Sequence, residues 1–193
     1  MKIILASASP RRKQLLEQMG LIFDIKTSDK KEQMPYGLAP EEIPMELACN
    51  KAMDVASCVY QPAIIIGADT VVVKDKILGK PENEEEARQM LLKLQGKTHE
   101  VITGLAIIDT RTGKVNKDYE KTSVEMAPLT LSEIEYYVQT GEPMDKAGGY
   151  GIQGLAGIFI SRIMGCYFNV MGLPIHRLWN MLKEYGINPL GNI

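Results

Sequence analysis

The sequence is poor in the residues on which many familiar sites depend. Its 193 residues include only three cysteines and two histidines. The cysteines, Cys49, Cys58 and Cys166, are odd in number and show no CxxC spacing, which argues against a disulfide framework and against a structural zinc site. His99 and His176 stand in no recognisable triad or metal-binding spacing, so histidine-based catalysis is disfavoured as well.

The chain also lacks an excess of one charge and a long apolar run. It has 22 Lys plus Arg against 24 Asp plus Glu, so no global field favours a nucleic-acid backbone, and any anion site must be local. The run from Lys2 to Ala6 is too short for the hydrophobic region of a signal peptide, and no later run approaches a membrane span. We therefore expect a cytoplasmic protein with no nucleic-acid and no membrane partner.

What the sequence does have is a central apolar stretch, AIIIGADTVVV, from Ala63 to Val73. Its two β-branched runs predict a strand that is buried on both faces. A carboxylate on such a strand is costly unless a partner, a metal or a water-lined cleft meets it. Asp69 is therefore either a structural residue that bonds a neighbouring loop or a catalytic one, and this stretch alone leaves both interpretations open.

The segment SASPRR near the N-terminus predicts an anion site. Ser9 and Pro10 suit the N-cap and the first position of a helix that we expect to reach about Met19. Arg11 and Arg12 then lie in the first turn, where the helix dipole normally attracts negative residues. The arrangement is explained if backbone N–H groups, the Ser7 and Ser9 hydroxyls and a guanidinium group bind a phosphate there; otherwise both arginines simply point to solvent.

Apolar periodicity, helix caps and turn residues predict the remaining elements. We expect further strands at Ile3–Leu5, Leu21–Lys26, Val101–Asp109, Val115–Met126 and Ile158–Ile163, and helices at Met45–Cys58, at Glu84–Leu94 behind Asn83, from Thr130 to near Gly141, and at Ile175–Tyr185.

Two of these regions add candidate ligand-binding residues. Glu32 lies in a long polar loop between Ser28 and Pro40, and long loops are often functional. Lys51 lies beside the apolar stripe of its helix, where a lysine either reaches solvent or directs its ammonium at a phosphate.

Together the candidate residues suit a polyphosphate and a magnesium-type ion. Mg²⁺ prefers one or two carboxylates together with phosphate oxygens, and attack of water on phosphorus requires charge neutralisation and a base rather than a histidine. The cations and hydroxyls are Ser7, Arg11, Arg12, Lys51 and Lys80, the carboxylates are Glu32 and Asp69, and a glycine-rich segment follows at 145–154.

Five ordered motifs give the chain a specific resemblance. They are LASASPRR (5–12), NKA (50–52), GADTVV (67–72), GKP (79–81) and DKAGGYGIQG (145–154). Through them the chain resembles the Maf family of nucleoside triphosphate pyrophosphatases along essentially its whole length. The resemblance implies a single α/β domain, residues 1–193, with an elongated mixed sheet and a cleft between two lobes, related to the inosine triphosphatases.

The resemblance also implies a reaction and residue roles. The reaction is hydrolysis between the α- and β-phosphates, with a Mg or Mn ion on Glu32 and Asp69, and usually in a homodimer. The position of Asp69 resembles the family's proton acceptor, while Arg12, Thr70 and Gln153 fall where the subgroup acting on dTTP and UTP carries its specificity residues.

Three functions follow as hypotheses. The first is a house-cleaning pyrophosphatase for dTTP, UTP and modified pyrimidine nucleotides. The second is a purine-directed enzyme of the inosine triphosphatase kind. The third is a nucleotide-binding regulator that needs no turnover, since the family's name is attached to inhibition of septum formation.

Overall fold

The structure is a computed structural model that describes residues 1–28 and 35–192. It contains a mixed sheet of seven strands with helices packed on it. In chain order the elements are β1 (Lys2–Leu5), α1 (Pro10–Gln18), β2 (Asp24–Ile25), α2 (Glu42–Ser57), β3 (Ala63–Lys74), β4 (Lys76–Leu78), α3 (Glu84–Leu94), β5 (Thr98–Asp109), β6 (Val115–Met126), α4 (Leu131–Gln139), β7 (Ile160–Met164), α5 (Tyr167–Met171) and α6 (Ile175–Lys183). Among the described residues, no helix is both long and apolar enough to cross a membrane.

The sheet contains both strand orientations. Its order is β2-β1-β3-β5-β6-β7, with β4 paired to β3 outside this path. Strand β1 runs parallel to β2 and to β3, whereas β4 is antiparallel to β3 and β7 is antiparallel to β6. The expected α/β class with a mixed sheet is therefore confirmed, and the cleft between lobes stays a prediction.

Elements with strong local signals are where the sequence predicts them. Strand β3 is one continuous strand, buried from Ala63 to Asp69. Helix α3 begins behind Asn83, whose side chain accepts a hydrogen bond from the Glu86 N–H at 2.9 Å. Helix α4 begins with a complete capping box between Thr130 and Glu133. These predictions depend on groups within four residues of one another, which is why they are reliable.

Other boundaries differ from the prediction. Helix α2 begins at Glu42 rather than Met45, because a proline such as Pro44 is tolerated in the first turn, where N–H groups lack intrahelical partners anyway. The expected strand Leu21–Lys26 shortens to β2, two residues long. Strand β7 begins two residues later than expected because a 3₁₀ turn occupies 155–159. The short elements β4 and α5 were not predicted.

The chain divides into two compact units. Unit 1 comprises Met1–Asp69, Thr103–Glu120 and Gly172–Ile193, and unit 2 comprises Thr70–Ile102 and Lys121–Met171. Within unit 1, small and β-branched side chains of β1, β3 and β5 pack against one face of α2; this core contains Ile4, Ala6, Ala48, Ala52, Val55, Ala63, Ile65, Ala106 and Ile108.

Unit 2 has a separate core with larger side chains. Helices α3 and α4 bury their apolar faces there, and their aromatic and branched neighbours complete it. The core contains Val72, Leu78, Ala87, Met90, Leu91, Leu94, Val101, Val124, Met126, Ile134, Tyr137, Val138, Tyr150, Ala156 and Phe159.

Candidate active site

Two glycines allow α2 to lie unusually close to the sheet in unit 1. A Cβ at Gly67 of β3 would overlap the carbonyl oxygen of Ala48 and lie 3.0 Å from the Ala52 Cβ. A Cβ at Gly104 of β5 would overlap the backbone where Pro44 joins Met45. The helix backbone therefore rests directly on these two strands, so even short side chains of α2 contact the sheet.

This close packing brings Lys51 to Asp69. Successive residues of a strand point to opposite faces, so Asp69 shares with Gly67 the face that α2 covers. The Lys51 ammonium donates a hydrogen bond to Asp69 Oδ1, and the two side chains are only 15% and 11% exposed. Lys51 is thus one partner that the buried carboxylate requires, and its ammonium does not simply extend to solvent.

A second cluster lies at the N-terminus of α1. Ser7 is buried, and its Oγ accepts hydrogen bonds from the Ser9 N–H at 3.2 Å and from Arg12 Nη1 at 3.1 Å. Arg12 Nε donates to the Gly172 carbonyl oxygen at 2.9 Å. These bonds hold the guanidinium beside the start of the helix rather than in solvent. Because the Ser7 oxygen accepts two hydrogen bonds, both of its lone pairs are used. Ser7 can then interact with a ligand by donating a hydrogen bond from its O–H group.

The first turn of α1 has two further features that bear on the expected anion site. Ser9 has extended backbone geometry, and within the described residues its side chain makes no capping hydrogen bond. Its hydroxyl therefore does not cap the first-turn N–H groups. Arg11 lies half-buried in the same turn. A helix end with two arginines and an uncapped first turn favours a negatively charged ligand.

Strand pairing places the two clusters at the same edge of unit 1. Strands β1 and β3 are parallel with Leu5 opposite Ile66, and the Ala6 N–H donates to the Ile66 carbonyl at 2.8 Å. Ser7 and Asp69 therefore follow the paired residues in the same direction on neighbouring chain segments. The hydroxyl and guanidinium cluster and the buried carboxylate therefore lie at the same edge of the sheet, beyond the carboxyl end of β1.

The other expected binding residues belong to unit 2. Thr70 follows Asp69 on β3 and points to the opposite face; it is half-buried. Lys80 is exposed just beyond β4, and Gln153 is exposed within the glycine-rich segment. The structure thus brings Ser7 together with Arg12 and Lys51 together with Asp69.

The glycine-rich segment is anchored to the GKP motif. The Gly148 N–H donates to the Gly79 carbonyl at 2.9 Å. Gly148 has φ +71°, and a Cβ there would lie 2.9 Å from Val72 Cγ2. Both the left-handed conformation and the contact with β3 therefore require glycine.

Two residues that the sequence analysis did not select hold the turn that carries Gln153. Glu142 Oε1 accepts from the Tyr137 hydroxyl at 3.0 Å, and Glu142 Oε2 accepts from the Leu155 N–H at 3.0 Å. A carboxylate three residues before the glycine-rich motif is a signal that could have identified Glu142. Tyr137 carries no such signal, because it lies on the ordinary apolar face of α4.

A buried polar pair supports the same segment. His99 Nε2 and the Tyr150 hydroxyl lie 2.6 Å apart, and within the part of the chain that the structure describes His99 Nδ1 has no hydrogen-bond partner. Burial, with a contribution from Lys74, lowers the pKa of His99 to about 4. Burial also raises the pKa of Tyr150. His99 is therefore neutral at pH 7 and has a structural environment, as the sequence indicated.

Only one of the two expected metal ligands, Asp69, lies within the described residues. Glu32 lies outside the described residues, and those residues contain no group of three or more His, Cys, Asp and Glu side chains suited to a metal. Asp69 is an oxygen ligand of the kind that Mg²⁺ prefers, and Mg²⁺ needs only one or two carboxylates when phosphate oxygens complete its shell. The donor chemistry at Asp69 thus fits such an ion.

The fold and these clusters define an α/β protein in which the arginine-bearing start of α1 and a buried carboxylate and ammonium pair follow neighbouring parallel strands. The family model described as Maf-like protein matches residues 2–185. The chain belongs to that family, as the motifs indicated.

Two named relatives are similar to almost the whole chain. A dTTP/UTP pyrophosphatase from Desulforamulus reducens is 53% identical over 186 residues, covering 96% of this chain and 97% of the relative. One from Acetivibrio thermocellus is 48% identical, covering 100% of this chain and 99% of the relative. A solved HAM1 protein from Coxiella burnetii is similar with a TM-score of 0.45 and 14% identity, over 67% of this chain and 74% of that chain.

Proposed function

We propose that this protein is a nucleoside triphosphate pyrophosphatase that hydrolyses dTTP and UTP to the monophosphate and pyrophosphate. The observation that carries the proposal is the similarity, at 53% identity over 96% of the chain, to a protein named dTTP/UTP pyrophosphatase. The buried pair of Lys51 and Asp69, at the same sheet edge as the arginine-bearing start of α1, supports it, because this chemistry needs a base and positive charge around the phosphates. The purine-directed and non-catalytic alternatives are not favoured by the relatives' names.

In the proposed reaction Asp69 accepts a proton from water. The water oxygen forms a bond to the α-phosphorus, and the bond from that phosphorus to the bridging oxygen breaks, so pyrophosphate leaves with the electron pair. Lys51 holds the carboxylate in one orientation through its hydrogen bond to Oδ1. A positioned carboxylate of this kind typically contributes ~10² to 10⁴ to the rate.

The cationic residues bind the phosphates. Arg12 is held by Ser7 and Gly172, which reduces the conformational entropy that an arginine loses when it binds an anion. The Ser7 proton and the first-turn N–H groups of α1 add neutral donors. Arg11 and Lys80 supply the further positive charge that a triphosphate requires.

A divalent ion, Mg²⁺ or Mn²⁺, completes the proposed site. Asp69 and Glu32 would hold it together with phosphate oxygens. When bound, it supplies Lewis-acid polarisation of a phosphoryl oxygen.

Gln153 and Thr70 recognise the base in this proposal. Thymine and uracil present O4 as acceptor and N3–H as donor, which a Gln amide matches with one donor and one acceptor. Cytosine presents the reverse pattern, and a wrongly paired buried polar group costs about 1–3 kcal/mol. We therefore expect dTTP and UTP to be cleaved at least ~10-fold better than CTP.

The test is a pyrophosphate-release screen across nucleoside triphosphates with Mg²⁺ or Mn²⁺. Pyrophosphate and a monophosphate are expected from dTTP and UTP, and orthophosphate release would contradict cleavage at the α,β bond. Preference for ITP or XTP would support the purine-directed alternative. Nucleotide binding without turnover under all metal conditions would favour the regulator.

Three further expectations stay predictions. Light scattering on the purified protein tests the homodimer, and fractionation of cells tests the cytoplasmic location. A link to septum inhibition is tested by overexpressing an inactive variant, because a role that depends on catalysis would then disappear.

A further inference from the structure

The turn from Gly151 to Leu155 is held at both ends by one pair of side chains. The backbone of Gly151 lies beside the Tyr137 hydroxyl, and the Leu155 N–H donates to Glu142 Oε2 at 3.0 Å. The Tyr137 hydroxyl donates to Glu142 Oε1 at 3.0 Å, which joins the two anchors. Gln153 lies exposed between them, and the Gly154 N–H closes the turn on the Gly151 carbonyl at 3.0 Å.

The turn lies in direct contact with the carboxylate. A Cβ at Gly154 would overlap Glu142 Oε1 and lie 2.6 Å from Oε2. A Cβ at Gly151 would lie 2.5 Å from Lys146 Cε. The glycines on either side of Gln153 therefore leave the space that the Glu142 and Lys146 side chains occupy, and a Cβ at either position would displace those side chains.

The anchors are themselves rigidly held. Tyr137 is 3% exposed and packs edge-on against Phe159, with ring centroids 5.5 Å apart. It lies in the last turn of α4, at the opposite end of the helix from the capping box. The Lys146 ammonium donates to the Glu142 carbonyl oxygen at 2.7 Å. Tyr137 and Glu142 therefore hold the exposed turn in a fixed position relative to the core of unit 2.

We propose that Tyr137 and Glu142 are positioning residues for base selection, which fix the turn so that Gln153 presents its amide in one orientation. The proposal rests on the proposed function and adds a requirement to it. A free Gln amide rotates and can satisfy either uracil or cytosine, so selectivity needs a fixed backbone beneath it. Neither Tyr137 nor Glu142 needs to touch the substrate for this purpose.

The first test compares variants that release the turn with one that retains its bonds. Glu142→Ala removes the acceptor for the Leu155 N–H, and Tyr137→Phe removes the hydroxyl while keeping the buried ring. Glu142→Gln keeps an oxygen for Leu155 and an N–H for the Tyr137 oxygen. We measure kcat/KM for dTTP, UTP and CTP in each variant.

We expect the ratio of kcat/KM for dTTP over CTP to fall from at least ~10 toward 1 in Glu142→Ala and Tyr137→Phe. Glu142→Gln should retain most of the wild-type ratio. The loss should arise mainly from a higher KM for dTTP, because the reacting groups are untouched.

A double-mutant cycle tests whether Glu142 acts through Gln153. If it does, Glu142→Ala in a Gln153→Ala background should leave the ratio unchanged, since the residue that it positions is gone. Thr130→Ala is the matched control. It weakens the capping of α4 without touching the turn, so it should lower the melting temperature and leave the ratio unaltered.

The outcomes separate this inference from the proposed function. A wild-type ratio in Glu142→Ala and Tyr137→Phe overturns the positioning role while leaving the activity intact. Equal losses for all three nucleotides indicate a purely structural role and overturn it as well. A wild-type protein that releases no pyrophosphate from dTTP contradicts the proposed function itself.

Discussion

Replacing Asp69 by asparagine separates the chemical role of the carboxylate from its structural role. The substitution preserves the shape of the side chain, and the amide oxygen can still accept from Lys51. It removes the negative charge from a pair whose side chains are 15% and 11% exposed. Loss of a charge-assisted bond at such a site costs about 1–3 kcal/mol of unfolding free energy. At roughly 2–4 °C per kcal/mol for a chain of this size, the melting temperature should fall by about 2–12 °C.

The loss of dTTP turnover in Asp69→Asn should be much larger than the lower stability of the variant alone would cause. Turnover of dTTP should fall by at least ~10²-fold, the usual scale for a lost general base. That factor corresponds to about 2.7 kcal/mol of barrier and should appear at temperatures where the variant is fully folded. The assay is pyrophosphate release at 25 °C with circular dichroism on the same samples.

A paired substitution provides the control. Lys51→Met alone leaves Asp69 without this buried partner and should destabilise the fold more than Asp69→Asn does. Asp69→Leu combined with Lys51→Met replaces the ion pair by apolar side chains, which is often neutral in stability. The double variant should regain stability and remain inactive. If Asp69→Asn hydrolyses dTTP at a near wild-type rate, or the double variant regains activity with its stability, the carboxylate is structural and the reasoning is refuted.

Three further predictions follow from single contacts. Arg12→Ala should weaken binding of a non-hydrolysable dTTP analogue. It should also destabilise the ligand-free protein by about 1–2 kcal/mol, because it removes the hydrogen bond to the Gly172 carbonyl. An unchanged melting temperature would argue against that structural role. His99 has its pKa lowered to about 4 from 6.5, so the folded state binds fewer protons than the unfolded state between these values. The contribution of His99 to stability should be complete above pH 6.5 and fall by up to ~3 kcal/mol as the pH decreases to 4. Urea titrations should show a steeper loss of stability over this range in wild type than in His99→Gln, where carboxylates with lowered pKa values, such as Glu133 and Glu135, still contribute. Gly67→Ala should cost about 1–3 kcal/mol because its Cβ overlaps α2, whereas Gly79→Ala, which meets nothing within 4 Å, should leave the urea midpoint nearly unchanged.

Much of this protein could be predicted because its signals are local. The two β-branched runs around Gly67 are sufficient for a buried strand, since a strand of that composition needs burial on both faces. Asn83 and Thr130 determine where α3 and α4 begin through bonds to residues three positions away. The five motifs likewise identified the family, whose model matches residues 2–185.

The tertiary structure decided which of these residues meet. Lys51 and Asp69 are separated by 18 positions, and they pair because glycine at position 67 brings α2 against β3. Pro44 lies inside α2 because the first turn of a helix can accommodate a proline. The apolar periodicity of the sequence does not indicate this earlier helix start. Likewise, Leu155 donates to Glu142 across 13 positions, a contact that depends on the space left by Gly154. Sequence patterns record propensity and burial within a few residues, whereas hydrogen bonds between distant groups depend on how closely the backbones pack.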